Sequence, residues 1–258
     1  MNVHFTVTDN AIGEITLSDG KVNALSKALL HELVAAFEAL EASPARVVIL
    51  RAAPGARVFS AGHDVDELPT NGRDPLTYDN PLRQVVRKIE SCSCPVLAMV
   101  EGSVWGGACE LVMGCDLVIA SESASFAFTP ARLGIPYDIH GTMNLLKVSG
   151  IHLLKELLFT AEPITAARLG SFGIVNHVVP PAELEPFTRT LAAKIAKTSP
   201  LVHRVLKEEI RVLANAHPLN PETYERLQAL RREVYDSNDY QEGIRAFMEK
   251  RPPEFHGN

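Results

Sequence analysis

Short apolar runs, each followed by a loop and then a helical pattern, constrain the fold of this chain most. The runs at 47–50 and 95–100 are rich in Val, Ile and Leu, as is typical of strands buried on both faces of a sheet. Residues 3–7 and 12–17 alternate instead around Asp9-Asn10, which predicts an antiparallel hairpin. Further strand material is expected at 117–120, 125–128 and 173–179. This repetition of strand, loop and helix predicts an α/β fold.

The helical segments divide the chain into a core and a C-terminal region. Ser26 is a plausible N-cap for an amphipathic helix that reaches about Glu41. From residue 182 onward the pattern is helical only, with predicted helices at 184–195, 202–213, 221–235 and 239–248. We therefore expect a core over 1–190 and a helical subdomain over 191–258. Such a thin subdomain should pack on another subunit or on its own core.

Composition excludes several classes of function. The 258 residues are 46% hydrophobic and 22% charged, which is ordinary for a globular protein. The net charge of −6 gives no reason to expect nucleic-acid binding. No apolar run reaches the ~20 residues of a membrane span and no signal peptide is evident, so we expect a cytoplasmic protein. The nine histidines form no H-x-x-x-H pair, the four cysteines fit free thiols better than a disulfide framework, and no metal is expected.

Two stretches of small residues carry the clearest chemical signal. They are Phe59-Ser60-Ala61-Gly62-His63-Asp64 and Val104-Trp105-Gly106-Gly107-Ala108-Cys109-Glu110. Small residues leave backbone N–H groups accessible, and two such donors that converge on one point form an oxyanion hole for a thioester or ester carbonyl. The glycine pair also opens an apolar helix, whose N-terminal dipole would favour the developing negative charge. A tight strand-to-helix turn is the alternative explanation for the pair.

The two stretches together resemble the crotonase family, the enoyl-CoA hydratase and isomerase superfamily. The likeness covers nearly the whole chain, and the segments most similar to the decarboxylases of the family are 72–79, 101–107, 133–137, 207–213, 235–237 and 239–243. The resemblance implies a spiral of ββα units with a helical C-terminal subdomain for trimer contact. It also implies that the backbone N–H groups of His63 and Gly107 form the oxyanion hole. The ring of His63 is not required for that role, and it could simply pack or form local hydrogen bonds.

The acid–base residues separate the activities of the family. In its hydratases a glutamate matching Glu110 acts on the water, although a glutamate in a first helical turn also simply stabilises a helix N-terminus. The second hydratase glutamate is replaced here by Pro130. Dehalogenases of the family carry a nucleophilic aspartate beyond Gly134, and Asp138 keeps that alternative open.

Tyr137 is the residue that the resemblance points to for catalysis. A malonyl thioester holds its leaving electrons in the C–CO₂ bond, so the site needs to orient the carboxylate and stabilise an enolate rather than supply a base. A neutral phenol suits this task, although a buried tyrosine that simply hydrogen-bonds a carbonyl is the alternative. We therefore expect decarboxylation of methylmalonyl-CoA to propionyl-CoA. Hydratase or isomerase chemistry through Glu110, and an inactive CoA-binding scaffold, remain alternatives.

The resemblance also implies how the acyl-CoA is held. The matching positions are Lys21, Ala24, Ala61, Gly62, His63, Asp64, Val65, Thr129, Phe247 and Lys250. Coenzyme A would be part of the substrate, and no metal, biotin or nicotinamide cofactor is implied. The expected assembly is a homotrimer or a dimer of trimers, without nucleic-acid or membrane partners.

Overall fold

Two β-sheets and the helices around them make up the fold. The computed structural model describes residues 2–20, 22–67, 79–133, 137, 139–215, 220–223, 225–226, 229, 233, 237–239, 242, 246, 249, 251 and 254–258. The predicted α/β class is confirmed. Among the helices of these residues, none is both long and apolar enough to cross a membrane.

The larger sheet begins with the predicted hairpin. Its strands are β1 (Val3–Val7), β2 (Ile12–Leu17), β3 (Val47–Ala52), β5 (Val96–Val100), β7 (Leu117–Ser121) and β10 (His177–Val179), adjacent in that order. The pair β1 and β2 is antiparallel, which confirms the hairpin, and the remaining pairs are parallel. Every residue of β3 and β5 is buried, as expected for strands covered on both faces.

The loops of the candidate site follow the ends of strands in a smaller sheet. It consists of β4 (Val58–Ser60), β6 (Ser103–Trp105), β8 (Ser125–Ala127) and β9 (Ile164–Thr165), in that order. The pairs β4–β6 and β6–β8 are parallel. Because parallel strands end on the same edge of a sheet, the loops that follow Ser60, Trp105 and Ala127 lie together.

The helices cover both faces of the larger sheet. They are α1 (Lys27–Glu41), α2 (Pro81–Ser91), α3 (Gly107–Met113), α4 (Ile139–Ser149), α5 (Ile151–Thr160), α6 (Ala166–Ser171), α7 (Leu184–Ala196) and α8 (Pro200–Asn215). The predicted cap of α1 is confirmed, since the Ser26 hydroxyl accepts a hydrogen bond from the N–H of Leu29 at 3.2 Å. Short 3₁₀ helices span Val65–Glu67, Pro130–Leu133 and Pro181–Glu183.

Alternation along β3 divides the interior into two hydrophobic cores. Val48 and Leu50 point into the larger core, which α1, α2 and α3 cover. Val47 and Ile49 point into the smaller core, where α7 packs through residues such as Leu184. The helix α7, which crosses the predicted boundary at residue 190, thus packs on the core of its own chain. The predicted division into 1–190 and 191–258 stays a prediction, and the expected helices at 221–235 and 239–248 fall largely outside the described residues.

Candidate active site

The loop after β4 is held in a conformation that only glycine adopts easily. Gly62 has φ +82°, and a Cβ at this position would collide with the carbonyl oxygen of Trp105 at the end of β6. The Ser60 hydroxyl donates to the carbonyl of Asn23 at 2.6 Å and accepts from the N–H of Gly62 at 3.1 Å. The small residues Ser60 and Gly62 therefore allow the loop to lie directly against the second glycine-containing stretch.

The glycine pair forms the turn from β6 into α3. Gly106 has φ +53° and ψ −122°, and its N–H donates to the carbonyl of Ala127 at 2.8 Å. Gly107 is then the first residue of α3. A Cβ on Gly107 would lie 3.8 Å from the backbone nitrogen of His63 and 2.9 Å from a methyl carbon of Leu82. The structure therefore brings the two predicted oxyanion residues side by side.

The N–H groups of His63 and Gly107 are both available to a ligand. Neither takes part in a hydrogen bond with another of the described residues. For Gly107 this follows from its position, because the first N–H groups of a helix have no partner within the helix. Two neighbouring amide donors at a helix N-terminus form the arrangement that stabilises an oxyanion.

The surroundings of the His63 imidazole favour its neutral form. The side chain is half-buried, and desolvation lowers its pKa below the usual value, against smaller opposing effects of the Glu67 and Asp64 carboxylates. A neutral ring next to the amide donors adds no full charge to the site.

Tyr137 and Glu110 approach each other around Gly141 on α4. A Cβ on Gly141 would lie 2.5 Å from Cε1 of Tyr137 and 3.2 Å from Oε2 of Glu110. The tyrosine ring also packs edge-on against Phe128, and its hydroxyl oxygen is buried. Glu110 is only 5% exposed. Sequence reasoning did not identify Gly141, because an isolated glycine in a helical segment carries no signal of what lies beside it.

A cavity of about 120 Å³ reaches Glu110 from the side of α2 and α4. It is lined by Arg83, Val86, Arg87, Glu90, Glu110, Met143, Asn144, Lys147 and Asn215. The sequence alone gave Arg83 no role, and the structure places it in the same cavity as the Glu110 carboxylate. The cavity gives this otherwise buried carboxylate a polar, partly cationic surrounding.

The strand β8 leads to Thr129, a predicted contact of the acyl-CoA, and to Pro130, which stands where the resemblance expects a second hydratase glutamate. The hydroxyl of Thr129 would lie 3.2 Å from a Cβ on Gly106, so it is adjacent to the glycine pair. Pro130 follows and begins a 3₁₀ helix. Proline has no acid–base group, so the second carboxylate that hydration requires is missing from this position. Asp138, the alternative nucleophile, lies outside the described residues.

Some of the residues predicted to bind coenzyme A lie next to one another. The segments that contain Ala24 and Ala61 run side by side, since Ala61 N–H donates to Val22 and Leu25 N–H donates to the carbonyl of Gly62, each at 2.8 Å. The N–H groups of Ala61 and Gly62 are therefore already used within the protein. Asp64 is half-buried, and Val65 begins a 3₁₀ helix. The other predicted contacts, Lys21, Phe247 and Lys250, lie outside the described residues.

Comparison with known proteins identifies the family. The model for enoyl-CoA hydratase/isomerase matches residues 7–258. The chain belongs to this family. It is 51% identical to methylmalonyl-CoA decarboxylase of Escherichia coli K12 over 98% of this chain and 97% of that protein. A solved structure of methylmalonyl-CoA decarboxylase in complex with 2-nitronate-propionyl-CoA is 50% identical, with a TM-score of 0.82 over 100% of this chain and 99% of that one.

Backbone similarity alone does not separate the activities within the enoyl-CoA hydratase/isomerase family. The structure of an enoyl-CoA hydratase from Bacillus anthracis has a TM-score of 0.88, with complete coverage of both chains, although its identity is only 31%. The hydratase thus matches the backbone better while its sequence matches less well. The backbone therefore gives no reason to prefer one of the two activities.

Proposed function

We propose that this protein decarboxylates methylmalonyl-CoA to propionyl-CoA. The observation that carries the proposal is the pair of neighbouring His63 and Gly107 amides at the start of α3. It is supported by Tyr137, which lies beside Glu110 of the same helix, and by Pro130 in place of a second carboxylate. The 51% identity to a methylmalonyl-CoA decarboxylase over nearly the full length supports it. A hydratase of the family would need a second glutamate at the position that Pro130 occupies here.

The amide donors stabilise the enolate. The bond between C2 and the carboxylate breaks, CO₂ leaves, and the electron pair moves through C2 into the thioester carbonyl. The resulting oxyanion lies on the N–H groups of His63 and Gly107, where charge develops in the transition state. The N-terminus of α3 adds a favourable potential for that charge.

The phenol of Tyr137 orients the leaving carboxylate. Decarboxylation requires the C–CO₂ bond to stand out of the thioester plane, so that its electrons overlap with the carbonyl. A neutral donor can hold the carboxylate in this orientation without the ion pair that a lysine would form, which would favour the ground state over departing CO₂. Contacts with Phe128 and Gly141 fix the ring for this task.

The proton returns to C2 from Glu110 or from a water molecule. Glu110 lies one turn into α3, on the side of the tyrosine, and the polar cavity beside it connects its carboxylate with a region where water can be held. In D₂O the product would then carry deuterium at C2. Glu110→Gln should slow this step while leaving part of the decarboxylation intact, whereas a hydratase dependent on Glu110 would lose all activity.

The reaction needs no metal, biotin or nicotinamide. The thioester itself accepts the electrons that the C–CO₂ bond releases, and coenzyme A is part of the substrate. We expect Lys21, Ala24, the 61–65 loop, Thr129, Phe247 and Lys250 to hold the CoA ester. Turnover should therefore be unchanged by dialysis against a chelator. Binding of CoA esters without any turnover would instead support the scaffold alternative.

The proposed assembly is a homotrimer or a dimer of trimers in the cytoplasm. Its support is a row of exposed apolar side chains on α8, with Leu206, Ile210 and Leu213 at 44%, 65% and 53% exposure. Residues three and four apart share one face of a helix, so these side chains form a single apolar stripe. Another subunit would bury this stripe.

The proposal is tested by product analysis. Purified protein is incubated with methylmalonyl-CoA in D₂O with a chelator, and the acyl-CoA products are identified by mass. Propionyl-CoA that carries deuterium is the expected product. Unchanged methylmalonyl-CoA would refute the proposed function and favour the scaffold.

A further inference from the structure

Gly141 lies between two functional side chains in the first turn of α4. A Cβ built on it would be 2.5 Å from Cε1 and 3.2 Å from Cδ1 of Tyr137, and 3.2 Å from Oε2 of Glu110. Carbon atoms in van der Waals contact are ~3.5–4.0 Å apart. The space for a single methyl group is therefore already occupied by the tyrosine ring.

The backbone does not explain why glycine stands at this position. Gly141 is not among the described glycines with positive φ, so an L-residue with a side chain could adopt its conformation. Alanine also favours helix formation more than glycine does. The reason for glycine thus lies in the side chains packed against it, not in the helix.

We propose that Gly141 is a positioning residue for the reaction. Because it has no side chain, the Tyr137 ring can pack against α4 with its phenol beside the Glu110 carboxylate. This inference rests on the proposed decarboxylation. The ring cannot shift freely to admit a methyl group, since it already contacts Phe128 at a centroid distance of 6.2 Å, and Phe128 is itself 1% exposed within the larger core. An added Cβ would turn the phenol away from the substrate carboxylate that it orients.

Gly141→Ala tests this kinetically, with Gly170→Ala as the matched control. Gly170 lies in α6, and a Cβ there would be 3.1 Å from Cγ2 of Val178, a methyl contact outside the site. Gly141→Ala should lower kcat at least ~10-fold, with the KM for methylmalonyl-CoA little changed, because only an interaction that orients the reacting carboxylate is lost. The control should keep the wild-type kcat. An unchanged kcat for Gly141→Ala would overturn the inference.

A double variant shows whether Gly141 acts through the phenol. In a Tyr137→Phe background, where the hydroxyl is already missing, Gly141→Ala should reduce kcat by less than ~2-fold, since residues that act as a unit are not additive. A loss as large as in the wild-type background would show that Gly141 acts independently of Tyr137, and would contradict the inference.

Thermal unfolding separates the inference from the proposed function. Gly141→Ala should lower Tm in the wild-type background but not in a Tyr137→Ala background, where the ring that it contacts is absent. This measurement needs no turnover. It therefore shows whether residue 141 contacts the Tyr137 ring even if the wild-type protein proves inactive. Equal shifts of Tm in both backgrounds, or a variant that unfolds in both, would overturn the inference.

Discussion

The ring of Tyr137 packs edge-on against Phe128, with the ring centroids 6.2 Å apart and an interplanar angle of 63°. The contact joins the end of β8 to the segment before α4, and it fixes a phenol whose hydroxyl oxygen is buried. Tyr137→Phe keeps this ring contact and removes only the hydroxyl. Because the hydroxyl orients the carboxylate that leaves, its loss should lower kcat for methylmalonyl-CoA by roughly 10²-fold, the usual cost of misplacing a reacting group by about 1 Å. A KM close to wild type would show that CoA binding is intact, and an unchanged kcat would refute the role of the hydroxyl.

The amide of Gly107 can be removed with little disturbance of the helix. Gly107 is the first residue of α3, where proline is tolerated because that N–H has no partner in the helix. Gly107→Pro should lower kcat by about 10²–10³, the usual cost of losing one oxyanion donor. Gly107→Ala is the matched control, since it adds the same Cβ against Leu82 but keeps the N–H. Equal losses in both variants would show that packing, not the donor, is responsible.

Acidification should destabilise the protein through two histidines. Desolvation lowers the pKa of both His63 and His203 in the folded state. In the unfolded chain the pKa of histidine is about 6.5. Below that pH the unfolded state binds more protons, so their contribution to the free energy of unfolding falls as pH decreases. His203→Gln should therefore reduce the loss of stability between pH 7.5 and pH 5.5, measured by urea unfolding. The exposed His152→Gln serves as control, and identical pH dependence in all three proteins would contradict the prediction.

The apolar stripe on α8 predicts a subunit contact. Ile210 is 65% exposed at its centre, and a charge placed there would oppose burial against another subunit. Ile210→Glu should shift the protein to monomers in sedimentation velocity. Phe5→Glu, which places the same charge on the edge strand β1 at a residue 47% exposed, should leave the assembly intact. A wild-type protein that sediments as a monomer would refute the proposed trimer.

Local patterns were sufficient to predict much of the fold. The hairpin, the Ser26 cap of α1 and the buried strands β3 and β5 follow from alternation, capping and apolar runs, and each is confirmed. The second sheet was not predicted as such, because β6 has three residues and β9 only two, too few to show a period.

The site shows the same division between local and distant information. The glycine pair and the 59–64 stretch predicted two residues, His63 and Gly107, that the structure places side by side. Their role as oxyanion donors stays a prediction. The contact of Gly141 with Glu110 joins positions far apart in sequence, and no local pattern reveals it. The roles of the individual side chains stay predictions until they are measured.

The most direct test compares two reactions of the same wild-type preparation. The kcat/KM for decarboxylation of methylmalonyl-CoA is measured beside that for hydration of crotonyl-CoA, with acyl-CoA products followed by mass. We predict formation of propionyl-CoA with crotonyl-CoA left unchanged, because Pro130 removes the second acid–base group that hydration needs. Hydration of crotonyl-CoA without release of CO₂ from methylmalonyl-CoA would contradict the account and assign the chemistry to Glu110.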